Sequence, residues 1–360
     1  MSSILVGLLC PAFASPSLAN DESLGSDSRA SVDGIITKVA PEVLDNIFSG
    51  LTVDGDSVSA TLTEVGSTDQ MRSSTPSVVT KTTDIPFDPK VPITLSKDGV
   101  VTAGITLPFA DSTTDATILE GGRQVFDHNN DASSVPVVKE DGSVQITTLI
   151  STNEAPSRYS YETSVPGAAS IESIDSGALI FRNADGNYLA GIAPAWAKDS
   201  SGTPVPTHYE VDGLTITQVI DHSLLAPSAY PVVADPWMGK DLFSNTWNGS
   251  MNSQLTVNAT KSTYGHSIHT PGVGITIFLN EGWWELQAKK PGVNLKASFR
   301  QQYECHVAGG YYTFAGAWNL EQFRPDRILY WGNGVHIHRC NSAPGDGPGS
   351  LPRPPQKGFD

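Results

Sequence analysis

Between residues 91 and 236 the chain is punctuated by four Asp-Gly dipeptides, each set against short runs of β-forming residues. Asp98-Gly99 separates Ile93-Thr94-Leu95 from Val100-Val101-Thr102, and Asp141-Gly142 separates Val137-Val138 from Val144-Gln145-Ile146. Asp185-Gly186 lies between Leu179-Ile180-Phe181 and Tyr188-Leu189-Ala190, and Asp212-Gly213 precedes Leu214-Thr215-Ile216-Thr217. The two central residues of the favoured hairpin turn need positive φ, which Asp and Gly tolerate, so this pattern forces the chain back on itself. The expected fold is mainly β: an antiparallel β-sandwich or barrel-like domain. One amphipathic helix precedes it over 32–49, where Ile35, Ile36, Val39, Val43, Leu44, Ile47 and Phe48 follow helical spacing. Pro41 suits its first turn and Gly50 its C-terminal cap.

Charge divides the chain in two. Residues 1–236 carry 11 Lys and Arg against 30 Asp and Glu, net -19, whereas 237–360 carry 11 against 8, net +3. Six of the seven tryptophans and five of the eight histidines fall in the second part, so the shift near Asp235-Pro236-Trp237 marks a physical boundary. An excess of negative charge excludes the first part as a nonspecific partner for nucleic acid or an anionic bilayer, but leaves the second free to meet a phosphate or a glycan. The expected organisation is a signal peptide over 1–19, a helix and linker region over 20–90 and an acidic β-rich domain over 91–236. A small, disulfide-closed, β-rich, aromatic-rich C-terminal domain follows over 237–341, and 342–360, with five Pro and four Gly, forms a disordered tail.

The signal reading rests on Ile4-Leu5-Val6-Gly7-Leu8-Leu9-Cys10, an apolar run followed by small-residue endings at Ala12-Phe13-Ala14 and Ser17-Leu18-Ala19, though no Lys or Arg precedes it. A buried N-terminal strand is the alternative. No segment reaches the roughly 18 apolar residues of a membrane-spanning helix, so no transmembrane anchor is expected and the mature chain should be secreted or cell-wall associated. Removal of the signal takes Cys10 with it and leaves Cys305 and Cys340, a pair that an oxidising compartment joins as a disulfide.

Pro204-Val205-Pro206-Thr207-His208-Tyr209-Glu210-Val211 and Tyr230-Pro231-Val232-Val233-Ala234-Asp235-Pro236 resemble a β-rich module of secreted actinobacterial proteins that ends in a "YPVVADP" phrase. Farther on, Cys305-His306, Trp318-Asn319-Leu320-Glu321, Arg324-Pro325 and Cys340-Asn341 are similar, in order, to a small actinobacterial domain of unknown function. The resemblance implies export and modularity and brings no catalytic role with it.

The residues that carry chemistry lie in the second part. In an extended Val335–Cys340, His336, His338 and Cys340 share one face, and two histidines at i, i+2 can ligate one metal. Read as a strand, the segment around Cys305 turns Tyr303, Cys305 and Val307 inward and Glu304 and His306 outward. A disulfide between an outward and an inward face requires one segment to bend or end at its cysteine, and a bend at Cys340 makes His306 and His338 neighbours. Glu304, His306, His338 and Arg339 would then hold two imidazoles and a cation, the inventory of a metal-independent nuclease. The competing reading is solvated histidines beside a structural disulfide. Trp283-Trp284, Tyr311-Tyr312 and Trp331 are adjacent or paired aromatics that either present a binding surface or fill the core. Trp318-Asn319-Leu320-Glu321 with Arg324 reads as a short helical turn closed by an i, i+3 ion pair.

No cofactor is implied. Asp127-His128-Asn129-Asn130-Asp131 lacks the glycine and terminal glutamate of a calcium loop, and no zincin, nucleophile-elbow or phosphate-loop motif occurs. The expectation is a noncatalytic module that binds an envelope glycan or a protein partner. The alternative is a secreted antibacterial effector with a nuclease-like C-terminal domain, for which alone nucleic acid is a partner.

Overall fold

A computed structural model describes residues 26–65, 78–119, 121–174, 177–269, 273–309, 316–326 and 340. Among the described residues strands take 43% and helices 20%, and the sheets are antiparallel, as the Asp-Gly spacing requires. The first sheet runs β1 (Thr52–Asp54), β2 (Ser57–Val65), β3 (Val78–Pro86), β4 (Ile93–Lys97), β5 (Val100–Ile105), β10 (Arg158–Ser164), β16 (Thr215–Ile220), β15 (Thr207–Asp212). The second runs β11 (Ser170–Ser173), β12 (Leu179–Arg182), β13 (Tyr188–Ile192), β18 (Trp237–Gly239), β9 (Val144–Ile150), β8 (Ala132–Val138), β7 (Gln124–Asp127), β6 (Thr117–Ile118). β17 (Val232–Ala234) also pairs with β9, and β14 (Ala197–Lys198) with β17. A small third sheet orders β19 (Phe243–Met251), β20 (Gln254–Lys261) and β21 (Trp318–Glu321).

All four Asp-Gly dipeptides sit at hairpins. Asp98 (φ 51°) and Gly99 (φ 78°) close the two-residue turn between the paired Lys97 and Val100. In the β15–β16 hairpin Asp212 is itself the last strand residue, paired with Thr215, and the turn falls on Gly213 and Leu214. Asp141-Gly142 and Asp185-Gly186 occupy the longer β8–β9 and β12–β13 connections. Inward residues of the first two sheets, among them Leu62, Ile85, Leu95, Tyr161 and Ile216 from one and Phe126, Val144, Ile146 and Phe181 from the other, make one continuous core. The architecture is therefore a sandwich.

Three expectations change. In the 20–90 region, where the sequence after Leu51 reads as weak strand followed by linker, β1, β2 and β3 are strands that pair in register and extend the first sheet. Their Thr- and Ser-rich sequence hid an alternation, visible in Val58, Ala60 and Leu62 turned inward. The helix expected over 32–49 is α1 (Ser26–Val39), and Pro41 opens a separate 3-10 turn, Pro41–Leu44. The proline forces Ala40 out of helical geometry (φ -143°, ψ 63°), which ends α1 one turn early. The apolar face itself is as expected, with Ile36, Val39 and Val43 against Val125, Val135, Val137, Leu149 and Val233 on the back of the second sheet.

The C-terminal part has a β-sheet and a disulfide, but more helix than expected. α2 (Thr263–Ile268) and α3 (Val273–Ile277) come first, then a π-helical turn (Phe278–Gly282) continuing into α4 (Trp283–Lys289), a 3-10 turn (Pro291–Leu295) and α5 (Ala297–Gly309). These pack on the third sheet around Phe243, Val257, Ala259, Phe278, Leu286, Tyr303, Trp318 and Leu320. The same core includes Ala178, Ile180 and Ala193, so β12 turns Leu179 and Phe181 into the sandwich and Ile180 toward the C-terminal unit. The unit thus docks on the back of the second sheet, beside α1.

Tyr264 is the contact on which this docking turns. Its ring lies against Gly191 and Gly239, cross-strand partners in β13 and β18, where an added Cβ would stand 2.3 Å from the Tyr264 hydroxyl and 2.5 Å from its ring. The Tyr264 amide donates to Asp141 Oδ2 at 2.9 Å, and Ser262 Oγ accepts from Gly265 N at 2.7 Å, so two donors at the start of α2 are satisfied, one by the sandwich itself. Beside it Asp241 Oδ2 takes Lys81 from β3 at 2.8 Å and Lys289 from α4 at 3.5 Å. Those ammonium groups outweigh burial and hold the Asp241 carboxyl well below its ordinary range.

Two outcomes follow. Gly239→Ala should lower stability by about 1–3 kcal/mol, since the new methyl meets an aromatic ring in a closed site; urea denaturation of the two proteins reads the difference, and an unchanged midpoint would show that Tyr264 can be displaced without cost. Asp235, after β17, accepts from Trp196 N at 3.2 Å and Gln145 Nε2 at 3.5 Å, and burial pushes its pKa up to about 8. Against about 3.9 in the unfolded chain, the folded protein holds a proton that the unfolded one releases. Stability from this group is complete below about pH 4 and is lost as pH rises toward 8. The wild-type melting temperature should therefore fall more between pH 5 and pH 8 than that of Asp235→Asn; equal falls would assign the pH dependence elsewhere.

Candidate binding site in the C-terminal unit

The segment around Cys305 is a helix rather than the strand expected. Tyr303, Cys305 and Val307 alternate, but Ser298, Gln302 and Cys305, with Phe299, Tyr303 and Val307, also recur at three- and four-residue spacing, and all six are buried on α5. Gln302 fixes this helix to β21 like a strand edge: its Nε2 donates to Glu321 O at 3.0 Å, and Glu321 N donates to its Oε1 at 2.8 Å. Two residues apart on a helix, Glu304 and His306 point in nearly opposite directions. Glu304 accepts from Arg300 Nε at 2.8 Å. His306 stacks on Trp318, ring centroids 5.7 Å apart and planes 11° apart, with Nε2 3.4 Å from Asn319 O. Burial lowers its pKa to about 4.

Cys305 and Cys340 form the expected disulfide, Cα atoms 5.6 Å apart. His336, His338, Arg339, Tyr311, Tyr312 and Trp331 lie outside the described residues. Trp283 is core: its ring meets Tyr303 at 5.1 Å and the Arg300 guanidinium at 5.0 Å. Trp284, the next residue on α4, is half exposed. His269 is consumed structurally. Its Nδ1 accepts from Lys261 Nζ at 3.1 Å, its Nε2–H donates to Val307 O at 3.0 Å, and burial with the nearby Lys261 lowers its pKa to about 3. Among the described residues no three His, Cys, Asp or Glu side chains are placed to hold a metal. A cavity of about 40 Å³ lies where the unit meets the sandwich, lined by Lys81, Lys97, Asp141, Lys240, Asp241 and Tyr264. It belongs to the clamp described above, since Asp141 and Asp241 are already engaged across it.

The remaining feature is the face of the third sheet turned away from this core. Trp318 and Leu320 point inward, so Asn319 and Glu321 point outward. The register continues that row across the sheet: Trp247 pairs with Asn258 and Asn258 with Asn319, while Gly249 pairs with Thr256 and Thr256 with Glu321. Asn245 and Asn319 are exposed and Trp247 is half-buried, whereas Thr256 and Asn258 are each 7% exposed and Glu321 5%. An aromatic and amide rim thus surrounds a polar floor. Asn258 Nδ2 makes long contacts with Trp247 O (3.4 Å) and Thr256 Oγ1 (3.3 Å), and its Oδ1 takes no hydrogen bond among the described residues. Glu321 is neutralised by Arg324, which donates from Nε to its Oε2 at 2.5 Å; the i, i+3 pair read from sequence is present, but at a strand end rather than in a helical turn.

Sequence reasoning passed over Trp247, Asn258 and Asn319. The available signal was an alternation, Asn245, Trp247, Gly249, that puts one large aromatic among amides and a glycine on a single strand face. No family model, no curated protein and no solved structure matches this chain. The fold and site define a class by themselves: a β-sandwich with a docked, disulfide-closed unit that presents an aromatic and amide sheet face.

The disulfide closes a loop of 35 residues by sequence separation, which in the chain-entropy model is worth about 4 kcal/mol. Reduction, or Cys305→Ser, should lower the stability of the unit by up to that amount. Free thiols at both positions in protein purified without reductant, detected by alkylation and mass spectrometry, would contradict the bond.

Proposed function

We propose that this is an exported, noncatalytic binding protein in which the acidic sandwich serves as a rigid platform and the C-terminal unit makes contact with the cell envelope or a protein partner. The observation that carries the proposal is the Trp247, Asn258, Asn319 row. A large aromatic and two amides with unused hydrogen-bonding capacity stand side by side on rigid strands, where an ordinary solvated face would show charged side chains. Binding sites combine an apolar surface with a few placed polar groups in this way. The apolar run near residue 4, the two small-residue sites after it and the Cys305–Cys340 bond support export. The resemblance to secreted actinobacterial modules supports the division into platform and presented unit.

The described part of the enzymatic alternative lends it little support. With a pKa near 4, His306 is neutral at pH 7, its Nε2 is turned to the Asn319 carbonyl, and Glu304 faces away from it. Purified protein incubated with isolated bacterial envelopes gives the test. Trp247→Ala should reduce the envelope-bound fraction, read as an apparent affinity, by at least about tenfold, equivalent to about 1.4 kcal/mol, while the melting temperature stays within a degree or two. Undiminished binding by a folded Trp247→Ala protein would remove this face from the function.

A further inference from the structure

The geometry points to a neutral polysaccharide as the ligand of the outer face of the third sheet, with Trp247 as the stacking platform and Asn258 and Asn319 as the hydroxyl-binding groups. The inference rests on the binding role proposed above and narrows it to one chemistry. Four observations lead there. An indole offers a flat, weakly negative face that suits the C–H side of a pyranose ring, and here the ring is held by a strand rather than a loop. Its neighbour along the strand is Gly249, which pairs with Thr256. A Cβ at Gly249 would fall 2.6 Å from Thr256 Oγ1 and 3.3 Å from Asn258 Nδ2, so the glycine lets the Thr256 and Asn258 side chains close over β19 and form the floor beside the indole.

The amides supply the second requirement. Asn258 is more than nine-tenths buried, yet its Oδ1 has no partner among the described residues, and the side-chain amide of exposed Asn319 makes no hydrogen bond among them either. An amide both donates and accepts, as does a sugar hydroxyl, so each asparagine can engage adjacent hydroxyls in both senses. Third, the row carries no net charge, because Glu321 is paired with Arg324. A phosphate or sulfate finds no free cation in it, and an acidic peptide gains nothing from it, whereas a neutral polyol needs none. Fourth, the three residues lie on adjacent strands, so the row spans about 10 Å, the length of about two pyranose rings. An extended chain crossing the strands would lie over the indole at one end and over Asn319 at the other.

The test uses the full exported protein and a panel of defined probes: cellohexaose, N-acetylchitohexaose and mannohexaose as neutral chains, with dextran sulfate as an anionic control. Binding is followed by calorimetry and by quenching of tryptophan fluorescence. At least one neutral hexamer should bind, dextran sulfate should not compete, and the dissociation constant should rise at least about tenfold in Trp247→Ala and in Asn319→Ala, with Trp284→Ala unchanged. Asn319 is exposed, so its truncation keeps the test valid if Trp247→Ala folds poorly. Neutral hexamers that bind both variants as tightly as wild type, or that fail to bind the wild type at millimolar concentration, overturn the assignment. If envelope binding still depends on Trp247 but is abolished by treating the envelopes with protease, the face takes a protein: the glycan assignment fails and the broader binding role stands. If no envelope binding depends on Trp247 and no hexamer binds, both fail together.

Discussion

The placement of Tyr264 on two paired glycines is the contact that the rest of the molecule depends on. A tyrosine ring can approach a sheet this closely only where the strands have no side chains, and Gly191 and Gly239 supply that gap on neighbouring strands. The Tyr264 amide is held by Asp141, which sits in the β8–β9 connection and also accepts from Ser143 N at 2.9 Å. A hairpin loop of the sandwich therefore contributes to capping the first helix of the C-terminal unit, and neither part has a complete hydrogen-bond inventory without the other. The Lys81, Asp241, Lys289, Glu285 chain reinforces this. Glu285 receives Leu242 N and Phe243 N at 2.7 and 3.0 Å, so the same charges that cross the junction also fix the start of β19.

The back of the second sheet shows why such a junction is needed. Its front is covered by the first sheet, and its back must also be removed from water, because β9 is buried at every position and β8 at every position but Ser133. Over β9 this reads directly, with Val144, Ile146 and Ile150 on one side and Leu149 on the other. α1 covers one portion and the C-terminal unit another. A strand pattern apolar on both faces belongs to a covered sheet, so the long buried runs in the second sheet announce two covering elements even though the residues that cover them lie far away in sequence.

What the sequence disclosed, it disclosed through local chemistry. Asp98-Gly99 had to turn because only certain residues tolerate positive φ, and Ile36, Val39 and Val43 had to share a face because helical spacing puts them there. The Cys305–Cys340 bond followed from parity. What stayed hidden was either degenerate or nonlocal. Tyr303, Cys305 and Val307 satisfy a strand alternation and a helical spacing at once, and the tie was broken by Gln302, whose partner is the backbone of Glu321, 19 residues away. The Gly191–Gly239 pair is separated in sequence by β14, β15, β16 and β17 and has no composition signal. Trp247 was counted among the tryptophans without its face, because the register that sets Asn258 and Asn319 beside it is a property of the folded sheet.

A site on a sheet face differs from one on loops in what binding must order. The Trp247 row needs no loop to close. Two of its three strands meet the core through Val257, Ala259, Trp318 and Leu320, and the third begins at Phe243, whose amide is fixed by Glu285. Little conformational entropy remains to be lost there, which is the condition under which a few modest contacts yield measurable affinity. Through Tyr264 and Asp241 that rigidity extends to the sandwich, so a ligand on the third sheet is held against the whole body of the protein rather than against a tethered module. The negative charge of that body then has a consequence of its own. At net -19 over residues 1–236 it repels anionic polymers from the vicinity of a face that is itself neutral, so in the proposed glycan-binding role the platform adds to the selectivity for uncharged chains.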